Sequence, residues 1–162
     1  MNKEEILNIL KEKNIWFELE DHEAVFNMED LNNLNLKYKD RDAKNIFLRD
    51  DKKQNYYLIT VKGDKRVDLK QFRKDFNTRN LSFASSEDLM RILNLVPGSV
   101  SPLGIFNDNE LKVTLYLDEF FLSDNGIIGV HPNENTATIW LKVTDLVNLI
   151  KQHGNQIFLV SL

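Results

Sequence analysis

The segment DAKNIFLRD, residues 42–50, places a lysine and an asparagine side by side at the start of an apolar run. In a β-strand successive side chains point to opposite faces, so Lys44 shares a face with Ile46 and Leu48 while Asn45 lies on the other face. Both polar side chains can donate hydrogen bonds to the oxygen atoms of a ligand. The alternative is that Lys44 only marks the start of the strand and extends its head group into water.

Three loops add further candidates for a site. The loop PGSVSPLG, residues 97–104, can expose backbone N–H groups towards a developing oxyanion, although a tight connection would use the same glycines for their backbone angles. His131 precedes a proline at the end of a predicted strand, where it can bind a substrate or cap the turn. Surface exposure is the simpler interpretation of His22, and Glu134 and Asp118 are candidate bases.

Several kinds of chemistry are disfavoured. Cysteine is absent, which excludes disulfides, thiolate metal sites and a cysteine nucleophile. Neither G-x-S-x-G nor H-E-x-x-H occurs. A zinc site would require His22, His131 and His153 to converge from distant positions, and His153 precedes Gly154 at a predicted helix end, where a polar cap is the ordinary explanation. We therefore expect neither a metal nor a cofactor.

The net charge of −4 argues against nucleic-acid binding, but the charge is unevenly distributed. Residues 37–79 contain fourteen Lys and Arg against seven Asp and Glu, whereas the segments on both sides are acidic. Affinity for a polyanion depends on the local potential, so this basic segment favours a phosphate-binding surface. The alternative is that these lysines are simply solvated in loops, where several are adjacent to carboxylates.

The elements that must position these residues follow from hydrophobic periodicity and capping signals. Helices are predicted at 2–14, 27–34, 67–76, 85–95 and 144–152, the second capped by Asn27 with Asp30 as a weak reciprocal partner and the last capped by Thr144. Strands are predicted at 15–20, 43–49, 55–61, 81–85, 112–118, 127–131, 137–143 and 156–162. This order is not a regular βαβ series, so we expect an α+β (mixed α/β) fold with about six to eight strands.

Length and composition are those of an ordinary soluble globular protein. A chain of 162 residues with 42% hydrophobic and 28% charged residues predicts one domain, residues 1–162. No apolar run approaches the length of a membrane span, and the charged N-terminus lacks the features of a signal peptide. The expected location is the cytoplasm, with no membrane partner.

Three segments in order resemble a known family: AKNIFLRDDKKQNYYLITVKGDKRVDLKQF, LSFASSEDLMRILNLVPGSVSPLGIFND and HPNENTATIWL. The chain resembles the YbaK-like prolyl-tRNA editing domain family over almost its whole length, and among its members it is most similar to the free-standing alanyl-tRNA(Pro) deacylases. The resemblance implies a partly rolled, mixed, largely antiparallel sheet surrounded by helices. It also implies hydrolysis of the ester between a wrong amino acid and the terminal adenosine of a tRNA.

The resemblance implies a role for each matching residue. Lys44 holds the phosphate or ribose end of the terminal adenosine as a point charge. Asn45, with backbone N–H groups near Gly129 or Ser101, orients the ester carbonyl and stabilises its oxyanion, and His131 positions the substrate. The proton acceptor is a ribose hydroxyl or a water molecule. Together these assignments give catalytic residues Lys44, Asn45 and His131, and substrate-binding residues Gly98, Ser101, Pro102 and Gly129.

The implied partner is the acceptor end of aminoacylated tRNA(Pro), with a transient contact to prolyl-tRNA synthetase or an elongation factor as a further expectation. The expected tRNA-binding residues are Arg49, Lys52, Lys70, Arg73 and Arg79. They belong to a wider basic set that would meet the acceptor stem, which also includes Lys37, Lys39, Arg41, Lys53, Lys65, Arg66 and Lys74.

Exclusion of proline would then depend on the size of the pocket, because a tight apolar cavity rejects a ring by steric clash. The expected activity is hydrolysis of mischarged Ala-tRNA(Pro) in trans. Two alternatives stay open: a deacylase for Cys-tRNA(Pro) or another small aminoacyl-tRNA, and a non-catalytic domain of the same fold that binds a tRNA end or regulates a partner.

Overall fold

A computed structural model describes all residues from Met1 to Leu162. It contains five α-helices, eight β-strands and two short 3₁₀ helices. The α-helices are α1 (Lys3–Glu12), α2 (Met28–Asn32), α3 (Leu69–Phe76), α4 (Ser86–Leu93) and α5 (Val143–His153). The strands are β1 (Phe17–Asp21), β2 (Ala43–Asp50), β3 (Tyr56–Lys62), β4 (Leu81–Phe83), β5 (Val113–Asp118), β6 (Ile127–Val130), β7 (Ala137–Lys142) and β8 (Ile157–Val160). The 3₁₀ helices span Pro102–Asn107 and Glu119–Leu122.

The strands form two sheets. One sheet is antiparallel with the order β1-β7-β6, and the other has the order β4-β2-β3-β5-β8. In the larger sheet β2 is antiparallel to both of its neighbours, whereas β5 is parallel to β3 and to β8. The predicted α+β class with a mixed, largely antiparallel arrangement of six to eight strands is confirmed, and neither sheet closes on itself.

The two sheets meet where the chain enters β2. Asp42 forms an isolated parallel bridge with Gly129 of β6, and the Gly129 N–H donates to the Arg41 carbonyl at 2.8 Å. A Cβ at Gly129 would lie 2.3 Å from the ring of Trp140, so only glycine lets this indole pack across the strand. The start of β2 is thereby held against the end of β6.

The alternation predicted for β2 is present. Leu48 joins a small apolar cluster under α3 that includes Phe72, whereas Phe47 on the opposite face joins the main core. The main core combines residues of both sheets with α1, α4 and α5. Lys44 and Asn45 therefore begin on opposite faces of the larger sheet.

Of the two helix caps named in the sequence analysis, one is found and one is not. Asn27 caps α2 by accepting from the Asp30 N–H at 2.8 Å, as its sequence predicts. The prediction that Thr144 caps α5 is wrong, because the helix begins at Val143 and has no side-chain cap. The physical reason is that β7 runs directly into α5, so the extended backbone of Lys142 already occupies the cap position.

Arg41 is a second correction. It was expected among the basic residues that face a tRNA, but it is only 6% exposed. Its guanidinium donates to the carbonyls of Ile127 and Phe121 at 2.8 Å each and to the carbonyl of Ser123 at 3.2 Å. Its charge is therefore used inside the protein, where it ties the segment before β6 to the start of β2.

None of the helices has the length and apolar composition required to cross a bilayer.

Replacing Arg41→Met keeps an apolar stem and removes these three donations, two of which go to buried carbonyls. We expect the free energy of unfolding to fall by about 2–4 kcal/mol, since each unpaired buried carbonyl costs about 1–3 kcal/mol. Urea denaturation followed by circular dichroism measures it. Arg66→Met is the matched control, because Arg66 is exposed and donates no hydrogen bond, and it should change stability by less than about 0.5 kcal/mol. Equal effects of the two substitutions would contradict the structural role of Arg41.

Candidate functional site

A cleft of about 190 Å³ opens where the two sheets meet. Its walls come from α2 and the residues before it, from the start of β2, from the loop that precedes the first 3₁₀ helix, and from the residue after β6. The lining residues are Val25, Phe26, Asn27, Met28, Leu31, Ala43, Lys44, Asn45, Gly98, Val100 and His131. The structure thus brings together Lys44, Asn45, Gly98 and His131, four residues singled out in the sequence.

Lys44 is half-buried at the edge of this cleft. Its Nζ donates to the carbonyl of Lys65 at 3.2 Å, which fixes the head group while leaving its other two N–H donors unused. A fixed ammonium with free donors is suited to an anionic or ribose oxygen. The structure therefore does not show a lysine that merely extends into bulk water.

The amide of Asn45 is held from two sides. Its Oδ1 accepts from the Thr60 hydroxyl at 2.6 Å, and its Nδ2 donates to the carbonyl of Val100 at 3.3 Å. Thr60 is fully buried and lies directly opposite Asn45 in the β2–β3 ladder. One N–H of the amide remains, so Asn45 fastens the loop to the sheet and still offers a single donor to the cleft.

The loop before the first 3₁₀ helix contains backbone donors that have no partner within the chain. The N–H groups of Gly98, Val100 and Ser101 donate no hydrogen bond within the chain, whereas that of Ser99 donates to Val96. Gly98 has φ of +92°, a left-handed conformation that favours glycine. Gly98 and Val100 line the cleft, so this loop can direct backbone N–H groups towards an oxyanion.

Three residues expected to bind substrate lie behind the cleft surface. Ser101 and Pro102 are buried, and the Ser101 Oγ caps the 3₁₀ helix by accepting from the Leu103 N–H at 3.2 Å. Gly129 is also buried, and its N–H is already donated to Arg41. The structure places these residues where they shape the loop and the junction between the sheets.

His131 lines the cleft, and one of its ring nitrogens is held by the backbone. Its Nδ1 lies 2.9 Å from the carbonyl of Ala137, and because a carbonyl only accepts, this nitrogen carries the proton. Burial lowers the pKa of His131 below its ordinary value of 6.5, because desolvation disfavours the charged imidazolium, and the neighbouring His22 lowers it further. At pH 7 the ring is neutral and Nε2 is an acceptor.

The wall formed by α2 was not predicted from the sequence. Asp30 accepts from the Phe26 N–H at 3.1 Å while Asn27 accepts from the Asp30 N–H, so the two side chains fix the start of the helix. This places Met28 and Leu31 in the apolar wall of the cleft and leaves Phe26 69% exposed at its mouth. The capping signal at Asn27 was readable, but it does not reveal which cavity the helix borders.

The other candidates lie outside the lining of the cleft. Asp118 is buried and ion-paired with Lys65 at 3.0 Å. Glu134 accepts from the Thr136 hydroxyl at 2.8 Å. His22 does not line the cleft, although its ring centroid lies 6.3 Å from that of His131.

The five expected tRNA-binding residues differ in how their charges are engaged. Arg49 forms an ion pair with Asp88 at 2.9 Å, and Arg79 forms a two-pronged ion pair with Asp51. Lys52, Lys70 and Arg73 are exposed and form no ion pair. Counting basic residues in the sequence therefore overestimates the charge that this surface offers to a phosphate.

Comparison with known proteins assigns the family. The family described as the aminoacyl-tRNA editing domain matches residues 22–149, a range that includes every residue of the cleft. The chain belongs to the aminoacyl-tRNA editing domain family. The expected resemblance is thereby confirmed at the level of the family.

Curated relatives of this editing domain match most of the chain. It is 34% identical over 153 residues to the prolyl-tRNA editing protein ProX of Acetoanaerobium sticklandii, covering 94% of this chain and 93% of that protein. It is 32% identical over 141 residues to the prolyl-tRNA synthetase associated domain-containing protein 1 of Mus musculus, covering 85% of this chain and 83% of that protein.

Solved structures show the same editing-domain fold. A crystal structure described as a candidate trans-editing enzyme for prolyl-tRNA synthetase superimposes with a TM-score of 0.73, at 18% identity, over 99% of this chain and 96% of that one. A second crystal structure, of the hypothetical protein APE2540, gives a TM-score of 0.71 at 14% identity over 94% and 95% of the two chains. At these identities the likeness concerns the fold.

The low pKa of His131 predicts a pH-dependent loss of stability. The unfolded chain binds a proton on this residue at a higher pH than the folded chain does, so the free energy of unfolding decreases as the pH falls through 6.5. His131→Asn keeps an N–H for the Ala137 carbonyl and cannot titrate. We expect urea denaturation between pH 7 and about 5.5 to show a weaker pH dependence for the variant than for the wild type. Identical slopes would show that His131 does not titrate below its ordinary range.

Proposed function

We propose that this protein, with residues 1–162 acting as one domain, hydrolyses the ester bond of mischarged Ala-tRNA(Pro) in trans and releases alanine and free tRNA. The observation that supports it most strongly is the convergence of Lys44, Asn45, His131 and the Gly98–Val100 backbone on one small cleft. Membership of the editing-domain family and the similarity to a prolyl-tRNA editing protein support the same reaction.

Lys44 binds the terminal nucleotide in this proposal. Its ammonium is fixed on the Lys65 carbonyl and has two free donors at the edge of the cleft, where a phosphate or ribose oxygen of the terminal adenosine can accept. Binding energy from this end of the substrate holds the reacting ester in place, and correct positioning of the ester increases the rate of hydrolysis.

The reaction itself needs charge stabilisation more than a protein nucleophile. A water oxygen attacks the ester carbonyl carbon, and the carbonyl oxygen becomes an oxyanion that accepts from the free N–H of Asn45 and the unused backbone N–H groups of Gly98 and Val100. When the tetrahedral intermediate collapses, the ribose oxygen leaves and takes a proton. The products are the free amino acid and the tRNA with a ribose hydroxyl.

His131 acts as a positioning residue. Its lowered pKa keeps the ring neutral at pH 7, so Nε2 can accept a hydrogen bond from the ribose hydroxyl or the amino group of the substrate. The lining of the cleft contains no carboxylate. A neighbouring ribose hydroxyl of the substrate or a second water therefore receives the proton of the attacking water.

The dimensions of the cleft support a small amino acid. Val25, Met28 and Leu31 form an apolar wall around a space of about 190 Å³ that must also admit the ester and part of the ribose. In this proposal the wall accepts an alanine methyl group and rejects a prolyl ring by steric clash. Cysteine is close to alanine in size, so Cys-tRNA(Pro) is the nearest alternative substrate.

The partners in this proposal are the acceptor end of tRNA(Pro) and, transiently, prolyl-tRNA synthetase or an elongation factor. Lys52, Lys70 and Arg73 are the exposed cations without ion pairs that support contact with the acceptor stem. The name of the mouse relative, which refers to prolyl-tRNA synthetase, supports contact with the synthetase.

The deciding experiment compares Lys44→Ala with wild type in deacylation of Ala-, Cys- and Pro-tRNA(Pro). We expect wild type to hydrolyse Ala-tRNA(Pro) fastest and to spare Pro-tRNA(Pro). In the variant, kcat/KM should fall by about 100-fold or more, as expected when a charged contact that positions the reacting ester is lost. Lys151→Ala is the matched control, because Lys151 is an exposed lysine on α5, and its activity should equal that of wild type.

If none of the three esters is hydrolysed while tRNA still binds, the protein is a tRNA-end-binding module rather than an enzyme. If the cysteinyl ester is hydrolysed faster than the alanyl ester, the alternative substrate replaces alanine. Full activity of Lys44→Ala would remove this lysine from the mechanism.

Thr60→Val tests whether Asn45 depends on its hydrogen bond from β3. The substitution leaves the Asn45 oxygen without its buried donor, so we expect a loss of stability of about 1–2 kcal/mol and about tenfold lower kcat with little change in KM. Thr114→Val on β5 is the matched control, because the Thr114 hydroxyl makes no hydrogen bond within the chain. Equal kcat for the two variants would show that the orientation of Asn45 does not limit the reaction.

A further inference from the structure

A second depression borders the cleft on the other side of Lys44. It has a volume of about 300 Å³ and an apolar floor, with Phe83 and two cations at its sides. Its lining residues are Lys44, Ile46, Arg66, Val67, Leu69 and Phe83, and we call it the Phe83 groove. It lies on the α3 face of the larger sheet, and the mechanism above uses none of its residues except Lys44.

The aromatic wall of the Phe83 groove is open to solvent. Phe83 is 69% exposed on β4, which is the edge strand of the larger sheet. It pairs directly with Leu48 of β2, so its ring lies on the same face as Lys44 and Ile46. The exposed ring borders the apolar floor of the groove and is accessible to a ligand there.

The positive charges of the Phe83 groove are not paired with carboxylates. Arg66 is exposed and forms no hydrogen bond or ion pair through its side chain, and no carboxylate lines the groove. Lys70, the second residue of α3, is also exposed and unpaired. An exposed aromatic ring beside free cations is the combination by which proteins bind single-stranded nucleic acid, through base stacking and phosphate contacts.

Lys44 connects this groove to the cleft. Its side chain lines both depressions, and its donation to the Lys65 carbonyl places it next to Arg66 in the following position of the chain. If Lys44 contacts the phosphate of the terminal adenosine, that phosphate also joins the adenosine to the preceding nucleotide. The preceding nucleotide then lies on the side of Lys44 away from the cleft, which is where the groove begins.

We propose that the Phe83 groove binds the nucleotide that precedes the terminal adenosine, with its base stacked on Phe83 and its phosphate contacted by Arg66. This inference rests on the proposed function, because it takes the aminoacylated RNA end as the ligand of the cleft. A space of about 300 Å³ is at the lower end of small-ligand sites, which is the scale of one base. The contacts are independent of the amino acid and add affinity for a chain longer than one nucleotide.

The test compares two substrates, Ala-tRNA(Pro) and 3′-O-alanyl-adenosine, which has no preceding nucleotide. Phe83→Ala and Arg66→Ala should each lower kcat/KM for the tRNA by about tenfold, the effect expected for about 1.4 kcal/mol of stacking or phosphate binding. Both variants should hydrolyse the adenosine ester as wild type does. Phe83→Trp should retain activity on the tRNA, because it preserves the stacking surface.

Two control variants separate a local effect from a general one. Phe158→Ala removes an exposed aromatic ring from β8, at the opposite edge of the same sheet, and Lys151→Ala removes an exposed cation from α5. Both should match wild type on both substrates. Equal losses on the two substrates, or no loss on either, would overturn the proposal.

A direct binding measurement separates failure of this inference from failure of the proposed function. If wild type hydrolyses neither ester, the proposed activity fails. The groove is then tested by measuring the binding of two ligands, an unacylated oligoribonucleotide ending in CCA and adenosine monophosphate. Fluorescence anisotropy or NMR titration measures both affinities. About tenfold weaker oligonucleotide binding by Phe83→Ala and Arg66→Ala, with adenosine monophosphate binding unchanged, supports the groove. Unchanged oligonucleotide binding overturns it.

Discussion

The close approach of β6 to the chain entering β2 is the constraint on which the site depends. The Gly129 N–H donates to the Arg41 carbonyl at 2.8 Å, and the ring of Trp140 occupies the space that a side chain at Gly129 would need. The buried Arg41 guanidinium then satisfies three carbonyls on the β6 side. Because this junction joins the two sheets, His131 at the end of β6 and the start of β2 border one cleft.

Polar groups in the cleft are held by the scaffold before any substrate arrives. Thr60 and the Val100 carbonyl fix the amide of Asn45, and the Lys65 carbonyl fixes the ammonium of Lys44. In the proposed reaction, donors that are already oriented need little reorganisation when charge develops on the bound ester. Such preorganisation is the main source of electrostatic stabilisation in enzymes. The hydrogen bond from Asn45 to the Val100 carbonyl also fastens the Gly98–Val100 loop to β2.

Fewer basic residues are free to bind an anion than the sequence implies. Within the basic segment 37–79, Arg41 is buried and Arg49 and Arg79 are neutralised by carboxylates. The cations that remain free near the site lie around Lys44 and along α3, including Arg66 and Lys70. A protein with net charge −4 can thus present a local positive surface, because short-range potential depends on which ion pairs form.

The sequence by itself determined the fold class, most of the helices and strands, and the alternation of side chains along β2, because periodicity and capping are local properties. Through a family resemblance it also singled out Lys44, Asn45 and His131. It did not reveal that Ser101 and Gly129 would be buried, that α2 would form the cleft wall, or that Phe83 would stand beside Lys44. Those facts depend on pairing between distant strands and on ion pairs that local spacing does not encode. Only the tertiary structure decides them, since a side chain's exposure is set by what the rest of the chain packs against it.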